Sequence, residues 1–170
     1  TEPGIRLAPR PELPHMSLRI LAPTVTRINN GRWRMYFESR GSAEIAAAVE
    51  TPIQTGENLL NPLEFQKALQ AGAADFYMFD VQRIAGVSGW RAAVALPDAA
   101  NIPVSTHLYP EISIHLMAAT NNAHWLEYVD WASPVIREPT VVSEGKVYVP
   151  TTVGNGIEWN DEAVARYRVE

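Results

Sequence analysis

Hydrophobic and polar positions change their period along this chain, and these changes divide it into three parts. Apolar and polar side chains alternate through residues 24–37 on both sides of Asn30-Gly31, a dipeptide typical of tight hairpin turns. We therefore predict an antiparallel hairpin here. The preceding residues 1–17 contain four prolines, and we interpret them as an extended, mostly irregular arm.

Residues 43–127 alternate short apolar runs with helical patterns, which is typical of βα units. Glu57, Asp80 and His107 stand at the ends of three such runs and lie 23 and then 27 residues apart. That distance is the length of one strand and one crossover helix, so three successive parallel βα units are predicted. The predicted strands are 52–57, 76–80 and 102–107.

Start and stop signals bound the predicted helices. Asn61 and Pro62 have the residue types of an N-cap and a first helical position, and Gly72 is a plausible stop. After Pro139 the pattern predicts a second short hairpin and a polar terminal helix. The other predicted helices cover residues 43–49, 91–100 and 111–119, and the second hairpin covers 141–149.

Composition narrows the class of protein. The 170 residues are 46% hydrophobic, which argues against disorder, and the net charge of -5 with no basic stripe argues against a nucleic-acid partner. The chain contains no cysteine, so thiolate metal sites and thiol nucleophiles are excluded. No apolar run is long enough for a membrane span, and there is no signal pattern at the start. We expect a soluble cytoplasmic protein without a membrane partner.

Four residues are candidates for chemistry at the strand ends. His107 could act as a base with Asp80 holding one ring nitrogen, although a structural histidine bonded to backbone is the plainer interpretation. Glu57 could ligate a hard cation such as Mg²⁺, or it could stabilise the start of the next helix. Glu127 could be an acid opposite His107, or it could be a surface acid on a loop.

Several motifs, taken in their order, resemble the mandelate racemase subgroup of the enolase superfamily from about residue 43 to the end. The family fold is a modified (β/α)₈ barrel with a capping domain. The resemblance therefore implies an α/β fold made of a partial barrel, its last three βα units, followed by a C-terminal piece of the cap. The motifs are Thr55-Gly-Glu-Asn58, Asp80 followed by Arg83-Ile-Ala-Gly-Val-Ser-Gly89, Ser105-Thr-His-Leu108 and His124-Trp-Leu-Glu127.

The resemblance implies a role for each matching residue. Glu57 is similar to the third carboxylate ligand of an essential Mg²⁺. His107 with Asp80 is similar to the His–Asp dyad that abstracts or returns the proton α to a carboxylate. Glu127 is similar to the acid that hydrogen-bonds the substrate carboxylate as the enediolate forms. The implied substrate is a hydroxy acid or acid sugar, and the implied reaction is that of a dehydratase or racemase.

In the family, strands that precede the last three βα units carry two further metal carboxylates and a lysine base. Residues 1–42 of this chain contain no counterparts of them. Residues 1–40 are instead similar, more weakly, to the opening strands of a five-bladed β-propeller of the glycosidase type. We therefore expect a truncated or fused protein with an incomplete Mg²⁺ site. Its expected parts are an N-terminal arm and hairpin (1–42), a partial barrel (43–138) and a C-terminal cap segment (139–170).

Three hypotheses of function follow. The first is an enzyme, or half of one, that acts by Mg²⁺-assisted proton abstraction and needs its missing ligands from another chain. The second is a non-catalytic remnant that serves as an assembly or binding module. The third, a carbohydrate-active fragment with paired carboxylates, ranks last because one hairpin cannot line a pocket.

The predicted sheet also bears on assembly. Three parallel strands leave two unpaired edges, which natural proteins rarely tolerate. We therefore expect that the N-terminal hairpin covers one edge or that the chain forms a homo-oligomer.

Overall fold

The computed structural model describes residues 21–27, 33–38, 43, 46–47 and 49–169. Residues 43, 46 and 47 are helical, in keeping with the helix predicted there. The remaining elements alternate strands and helices up to residue 118, and the segment after that has little regular structure. In chain order they are β1 (Leu21–Arg27), β2 (Trp33–Glu38), β3 (Gln54–Thr55), α1 (Pro62–Gln70), β4 (Phe76–Asp80), α2 (Gly86–Ala99), β5 (Val104–His107), α3 (Pro110–Ala118), a 3₁₀ turn (Ser133–Val135) and α4 (Asp161–Arg166).

The predicted N-terminal hairpin is confirmed in its strands. β1 and β2 pair antiparallel, with Arg27 opposite Trp33 and Leu21 opposite Glu38, and the register shifts between Leu21 and Thr24. The turn between the strands and the predicted arm over 1–17 lie outside the described residues. Within the described strands β1 and β2 form a sheet of their own, so the hairpin does not extend the parallel sheet.

The second sheet is parallel, in the order β3-β4-β5, as the spacing of the three βα units predicted. β3 is only two residues long, shorter than the predicted 52–57. The reason is Gly56, which has φ +132° and starts a turn closed by a hydrogen bond from the Leu59 amide to the Gly56 carbonyl (3.0 Å). A Cβ on Gly56 would lie 2.4 Å from the Met78 carbonyl oxygen, so only glycine allows this approach to β4.

The prediction of two unpaired sheet edges is wrong at β5. Residues 122–125 run along its outer side, where the Val104 amide donates to the Asn122 carbonyl (2.9 Å) and the Thr106 amide donates to the Trp125 carbonyl (2.9 Å). This run is not a full strand, since it forms a single parallel bridge between Val104 and Ala123. It covers the outer edge of β5, and Glu127 follows it two residues later.

α1 starts where its signals predicted. Asn61 is the N-cap, and its side-chain oxygen accepts from the Glu64 amide (3.0 Å). The Glu64 carboxylate accepts from the Leu60 amide (2.8 Å), so the two side chains satisfy amides that the helix leaves open. Pro62 stands at the first helical position, where its missing N–H costs nothing. The helix ends at Gln70, and Gly72 follows with φ +61°.

α2 begins at Gly86, five residues before the predicted start at Arg91. Glycine has a poor helical propensity, which hides this turn in the sequence. The structural reason is close packing, since a Cβ on Gly89 would lie 1.7 Å from the Ile84 carbonyl oxygen. Ala85 and Gly86 have φ values of +73° and +70°, and they turn the chain sharply from β4 into the helix.

The hydrophobic core lies between the parallel sheet and its helices. Phe79 of β4 makes edge-to-face contacts with Phe65 of α1 and Trp90 of α2, at centroid distances of 4.8 and 5.1 Å. The Trp90 indole N–H donates to the Thr120 hydroxyl (3.2 Å), so this buried polar group has a partner. The buried members of the cluster are Phe65, Tyr77, Phe79, Val81, Ile84, Trp90, Ala93, Val104 and Leu116.

The segment after residue 128 matches its prediction in part. The second hairpin is reduced to one antiparallel bridge between Ser143 and Lys146, closed by Glu144 and Gly145 with φ values of +51° and +73°. The terminal helix is present as α4. No helix in the described part of the chain has the length and apolarity needed to cross a bilayer.

Candidate active site

The candidate site lies where the three parallel strands end. Asp80 and His107 are the last residues of β4 and β5 and are opposite each other in the register. Glu57 follows β3 within the turn that Gly56 opens. Because parallel strands present their carboxyl ends at one edge, three distant parts of the sequence meet here.

His107 lies between two carboxylates. Its Nδ1 is 2.8 Å from Asp80 Oδ2, and its Nε2 is 3.2 Å from Glu57 Oε2. The contact with Asp80 was predicted and is confirmed, whereas the contact with Glu57 was not predicted. A carboxylate only accepts hydrogen bonds, so both contacts are hydrogen bonds when both ring nitrogens carry protons. The imidazole is 17% exposed, which leaves it accessible to a small molecule.

Asp80 is the buried anchor of the site, with 3% of its side chain exposed. Its second oxygen, Oδ1, accepts hydrogen bonds from the backbone amides of Gln82 (2.8 Å) and Arg83 (3.0 Å). These bonds make the burial of a charged group tolerable and fix the direction in which Oδ2 points. Asp80 is thereby able to hold the orientation of the His107 ring.

Glu57 is held by a second set of contacts, which sequence reasoning missed. Its Oε1 accepts from the Asn58 side-chain amide (3.2 Å), and the Asn58 side-chain oxygen accepts from the Arg83 guanidinium. Arg83 is in turn bonded through its backbone to Asp80, so the contacts close a ring around the strand ends. Asn58 and Arg83 stand inside the motifs quoted above, so the signal was present. The interpretation of Glu57 as a helix-capping acid is wrong, since Asn61 caps α1.

Glu127 bonds to the turn after His107, and among the described residues it forms no hydrogen bond or ion pair with the His107 ring. Its Oε2 accepts from the Leu108 amide (2.7 Å), and its own amide donates to the Thr106 hydroxyl (2.8 Å). Glu127 lies on a loop, as the alternative interpretation expected, but its side chain is half-buried and bonded. Its Oε1 has no hydrogen-bond partner within the described part of the chain.

The turn between β5 and α3 is strained. Leu108 and Tyr109 have φ values of +55° and +48°, the left-handed region that costs a residue with a Cβ about 1–2 kcal/mol. Three side-chain contacts hold it: Leu108 N–H to Glu127, the Ser113 hydroxyl to the Leu108 carbonyl (3.0 Å), and the Tyr109 hydroxyl to the Gln82 side chain (2.8 Å). Strain of this kind directly after a candidate base is typical of functional sites.

The described residues do not form a complete magnesium site. Mg²⁺ requires near-octahedral oxygen coordination, whereas no group of three or more His, Asp or Glu side chains among the described residues could hold a metal ion. Glu57, the predicted ligand, lies at this edge of the sheet, and one of its oxygens contacts His107. Its role as a metal ligand stays a prediction.

These features together define an α/β protein with a His–Asp pair at the carboxyl ends of its parallel strands. The model of the family described as enolase C-terminal domain-like matches residues 36–163. The chain therefore belongs to this family.

Three comparisons place the chain within the enolase superfamily. It is 29% identical over 127 residues to an L-talarate/galactarate dehydratase of Salmonella typhimurium, covering 75% of this chain and 32% of that protein. A magnesium-bound enolase from the alphaproteobacterium BAL199 shares 46% identity at a TM-score of 0.72, covering 74% of this chain and 35% of its own. A Bradyrhizobium enolase complexed with magnesium and mandelic acid shares 42% identity at a TM-score of 0.73, covering 76% and 36%.

These matches bear on the cofactor, on the share of the relatives' length that the chain covers, and on residues 1–40. Several of the solved relatives contain Mg²⁺, so Mg²⁺ is the cofactor to expect, in agreement with the sequence. The chain spans about a third of the length of the relatives it matches. The matches give no support to the resemblance of residues 1–40 to a β-propeller.

Proposed function

We propose that this chain carries the proton-transfer half of a site that abstracts a proton α to a carboxylate, in a reaction of the acid-sugar dehydratase or racemase type. The observation that carries the proposal is the line Asp80–His107–Glu57, in which a partly exposed imidazole is oriented by a buried carboxylate. Relatives named as dehydratases of talarate or galactarate, D-gluconate and D-xylonate support the substrate class, a hydroxylated carboxylic acid.

In this proposal His107 takes the α-proton on Nε2. Asp80 keeps Nδ1 protonated and stabilises the imidazolium that forms, because its carboxylate is held in place by two backbone amides. His107 can act as a base only when Nε2 carries no proton and is free of Glu57, and a cation held by the Glu57 carboxylate would draw that carboxylate away. Glu127, protonated on Oε1, donates a hydrogen bond to the substrate carboxylate while its Oε2 accepts from the Leu108 amide.

The metal half of the site has to come from elsewhere. A bound Mg²⁺ would stabilise the negative charge that develops on the substrate carboxylate. The described residues offer one ligand, Glu57. A working site therefore requires carboxylates supplied by other parts of a longer protein or by a second chain.

A non-catalytic assembly module is the second candidate, and one observation favours it. The acid that would bind the metal is paired with the residue that would act as the base, at 3.2 Å. A pair of this kind satisfies both side chains without a ligand. In that case His107 and Glu57 are structural, and the residues of the family site persist through descent alone.

Two measurements separate these candidates. In calorimetric titrations with Mg²⁺, the half-site proposal expects a dissociation constant near or below the millimolar range, with binding lost in Glu57→Gln. In D₂O with Mg²⁺ present, NMR should show exchange of the α-protons of mandelate, galactarate or D-gluconate. His107→Asn should abolish that exchange, and Asp80→Asn should slow it by about 10²-fold or more.

The controls decide between the outcomes. Glu144→Gln removes a carboxylate far along the chain from the site, and it should change neither magnesium binding nor exchange. Exchange that persists in His107→Asn would contradict the assignment of His107 as the base. If the chain neither binds Mg²⁺ nor exchanges any α-proton, even when it is joined to the part of a relative that carries the missing metal carboxylates, the assembly module is the correct interpretation.

A further inference from the structure

Ser113 is a buried polar residue that no part of the proposed reaction uses. It lies in the first turn of α3 and has no exposed surface. Its hydroxyl donates to the Leu108 carbonyl at 3.0 Å, and its amide donates to the Tyr109 carbonyl at 2.9 Å. Ser113 thus holds both residues of the strained turn, one by its side chain and one by its backbone.

The turn that Ser113 holds is connected to His107 in two ways. Leu108 follows His107 directly, so the rotation of the Leu108 peptide also sets the position of the His107 backbone. The Leu108 N–H is bonded to Glu127, and the Tyr109 hydroxyl is bonded to Gln82, the residue whose amide holds Asp80. A change at the turn would therefore reach both members of the Asp80–His107 pair.

Neither turn residue is suited to its conformation. Glycine adopts positive φ freely, and asparagine does so more readily than most residues, whereas leucine and tyrosine have a strong preference for negative φ. The left-handed conformation of Leu108 and Tyr109 must therefore be imposed by contacts from outside the turn. Among the described residues of α3, Ser113 provides the hydrogen bond to the Leu108 carbonyl, through its hydroxyl.

We propose that Ser113 is a positioning residue for His107. Its hydroxyl keeps Leu108 in the left-handed conformation, which aims the Leu108 N–H at Glu127 and keeps Nδ1 of His107 on Asp80. The inference rests on the proposed function, because Ser113 would position the two residues, His107 and Asp80, that transfer the proton in that function.

The test compares Ser113→Ala with the parent chain in two NMR signals. One is the hydrogen-exchange protection of the amide at position 108, and the other is the downfield Nδ1–H proton of His107, assigned with His107→Gln. Ser113→Ala should lower the protection factor at position 108 at least tenfold and broaden the Nδ1–H signal, while circular dichroism shows that the fold is retained.

Thr120→Val is the matched control for the loss of a buried hydroxyl. Thr120 also donates to a backbone carbonyl, that of Leu116 at 2.8 Å, and it lies at the far end of α3. This variant loses a hydrogen bond of the same kind and leaves a buried indole N–H without its acceptor. It should destabilise the chain without selectively moving the two signals at the site.

Leu108→Gly tests the strain itself. Glycine adopts the required φ without help, so Ser113→Ala should disturb the Nδ1–H signal less when Leu108→Gly is also present. The proposal is overturned if Ser113→Ala leaves both signals unchanged, if Thr120→Val moves them equally, or if the double variant is as disturbed as Ser113→Ala alone.

None of these signals requires turnover. A failure of α-proton exchange would overturn the proposed function and leave the role of Ser113 in positioning His107 intact. Unmoved NMR signals would overturn the role of Ser113 and leave the proposed function to its own test.

Discussion

Two regions of this chain use large hydrophobic residues in opposite ways. In the βα region, residues 54–127, four aromatic side chains are enclosed between the sheet and its helices and contact one another edge to face, whereas Trp125 at the end of the region is exposed. In the C-terminal segment, residues 128–169, four of the five aromatic side chains are exposed. The enclosed side chains are Phe65, Tyr77, Phe79 and Trp90, and the exposed ones are Trp131, Tyr148, Trp159 and Tyr167.

The difference teaches that apolar character alone does not produce burial. A side chain is buried when two layers of secondary structure close over it, and only the βα region supplies two layers. The C-terminal segment has one six-residue helix and a 3₁₀ turn. The aromatic side chains named above are therefore exposed, and the assignment of this segment to a larger cap stays a prediction.

The largest effect should come from opening a cavity in the βα region. Phe79→Ala removes a fully buried ring that contacts two other aromatic rings, and it should lower the free energy of unfolding by about 3–5 kcal/mol. Trp131→Ala is the partner variant in the C-terminal segment, where the side chain is 68% exposed. It should change stability by no more than about 0.5 kcal/mol. Urea unfolding measures both, and equal effects would contradict the comparison.

A smaller change in the free energy of unfolding should appear at alkaline pH. Burial raises the pKa of Tyr77 above the ordinary value of 10.0, because the buried hydroxyl would be costly to ionise and has no hydrogen-bond partner within the described part of the chain. The folded chain then holds a proton that the unfolded chain loses. Stability is therefore retained below about pH 10 and falls as the pH rises toward the folded pKa, by at most about 1.4 kcal/mol per pH unit.

Tyr77→Phe should flatten this decline when urea unfolding is measured between pH 9 and 11. Tyr148→Phe is the control, because its ring is exposed in the C-terminal segment. It should leave the alkaline slope as it is. A decline that is equally steep in Tyr77→Phe would show that other groups cause it.

The smallest change in the free energy of unfolding should come from removing the N-cap side chains of two helices. Asn61 and Asn160 each accept a hydrogen bond from the amide three residues later, at 3.0 and 3.1 Å. Asn61→Ala should cost about 1 kcal/mol of global stability, because α1 packs on the core. Asn160→Ala should cost only a few tenths, since α4 can open without unfolding the βα region. Urea unfolding gives both values, and a larger loss for Asn160→Ala would place α4 within the cooperative unit.

Local signals predicted much of the fold. The hairpin strands, the Asn61 cap and the order of the three parallel strands follow from residue types and spacing within short stretches of chain. The start of α2 could not be predicted, because Gly89 is chosen for its approach to the Ile84 carbonyl and not for its propensity. The pairing of residues 122–125 with the outer side of β5 was not predicted, because it depends on contacts between separate elements.

The candidate site divides in the same way. The sequence by itself determined which residues reach the strand ends, since the period of one strand and one helix brings Glu57, Asp80 and His107 to one edge, and family motifs name them. Apart from the contact between Asp80 and His107, only the tertiary structure decided what each side chain contacts. The Glu57–His107 pair, the bond from Leu108 to Glu127 and the strain at Leu108 depend on distances between separate elements. Spacing along a chain sets the edge of the sheet that a residue reaches, whereas the partner that it finds there depends on the packing of the whole fold.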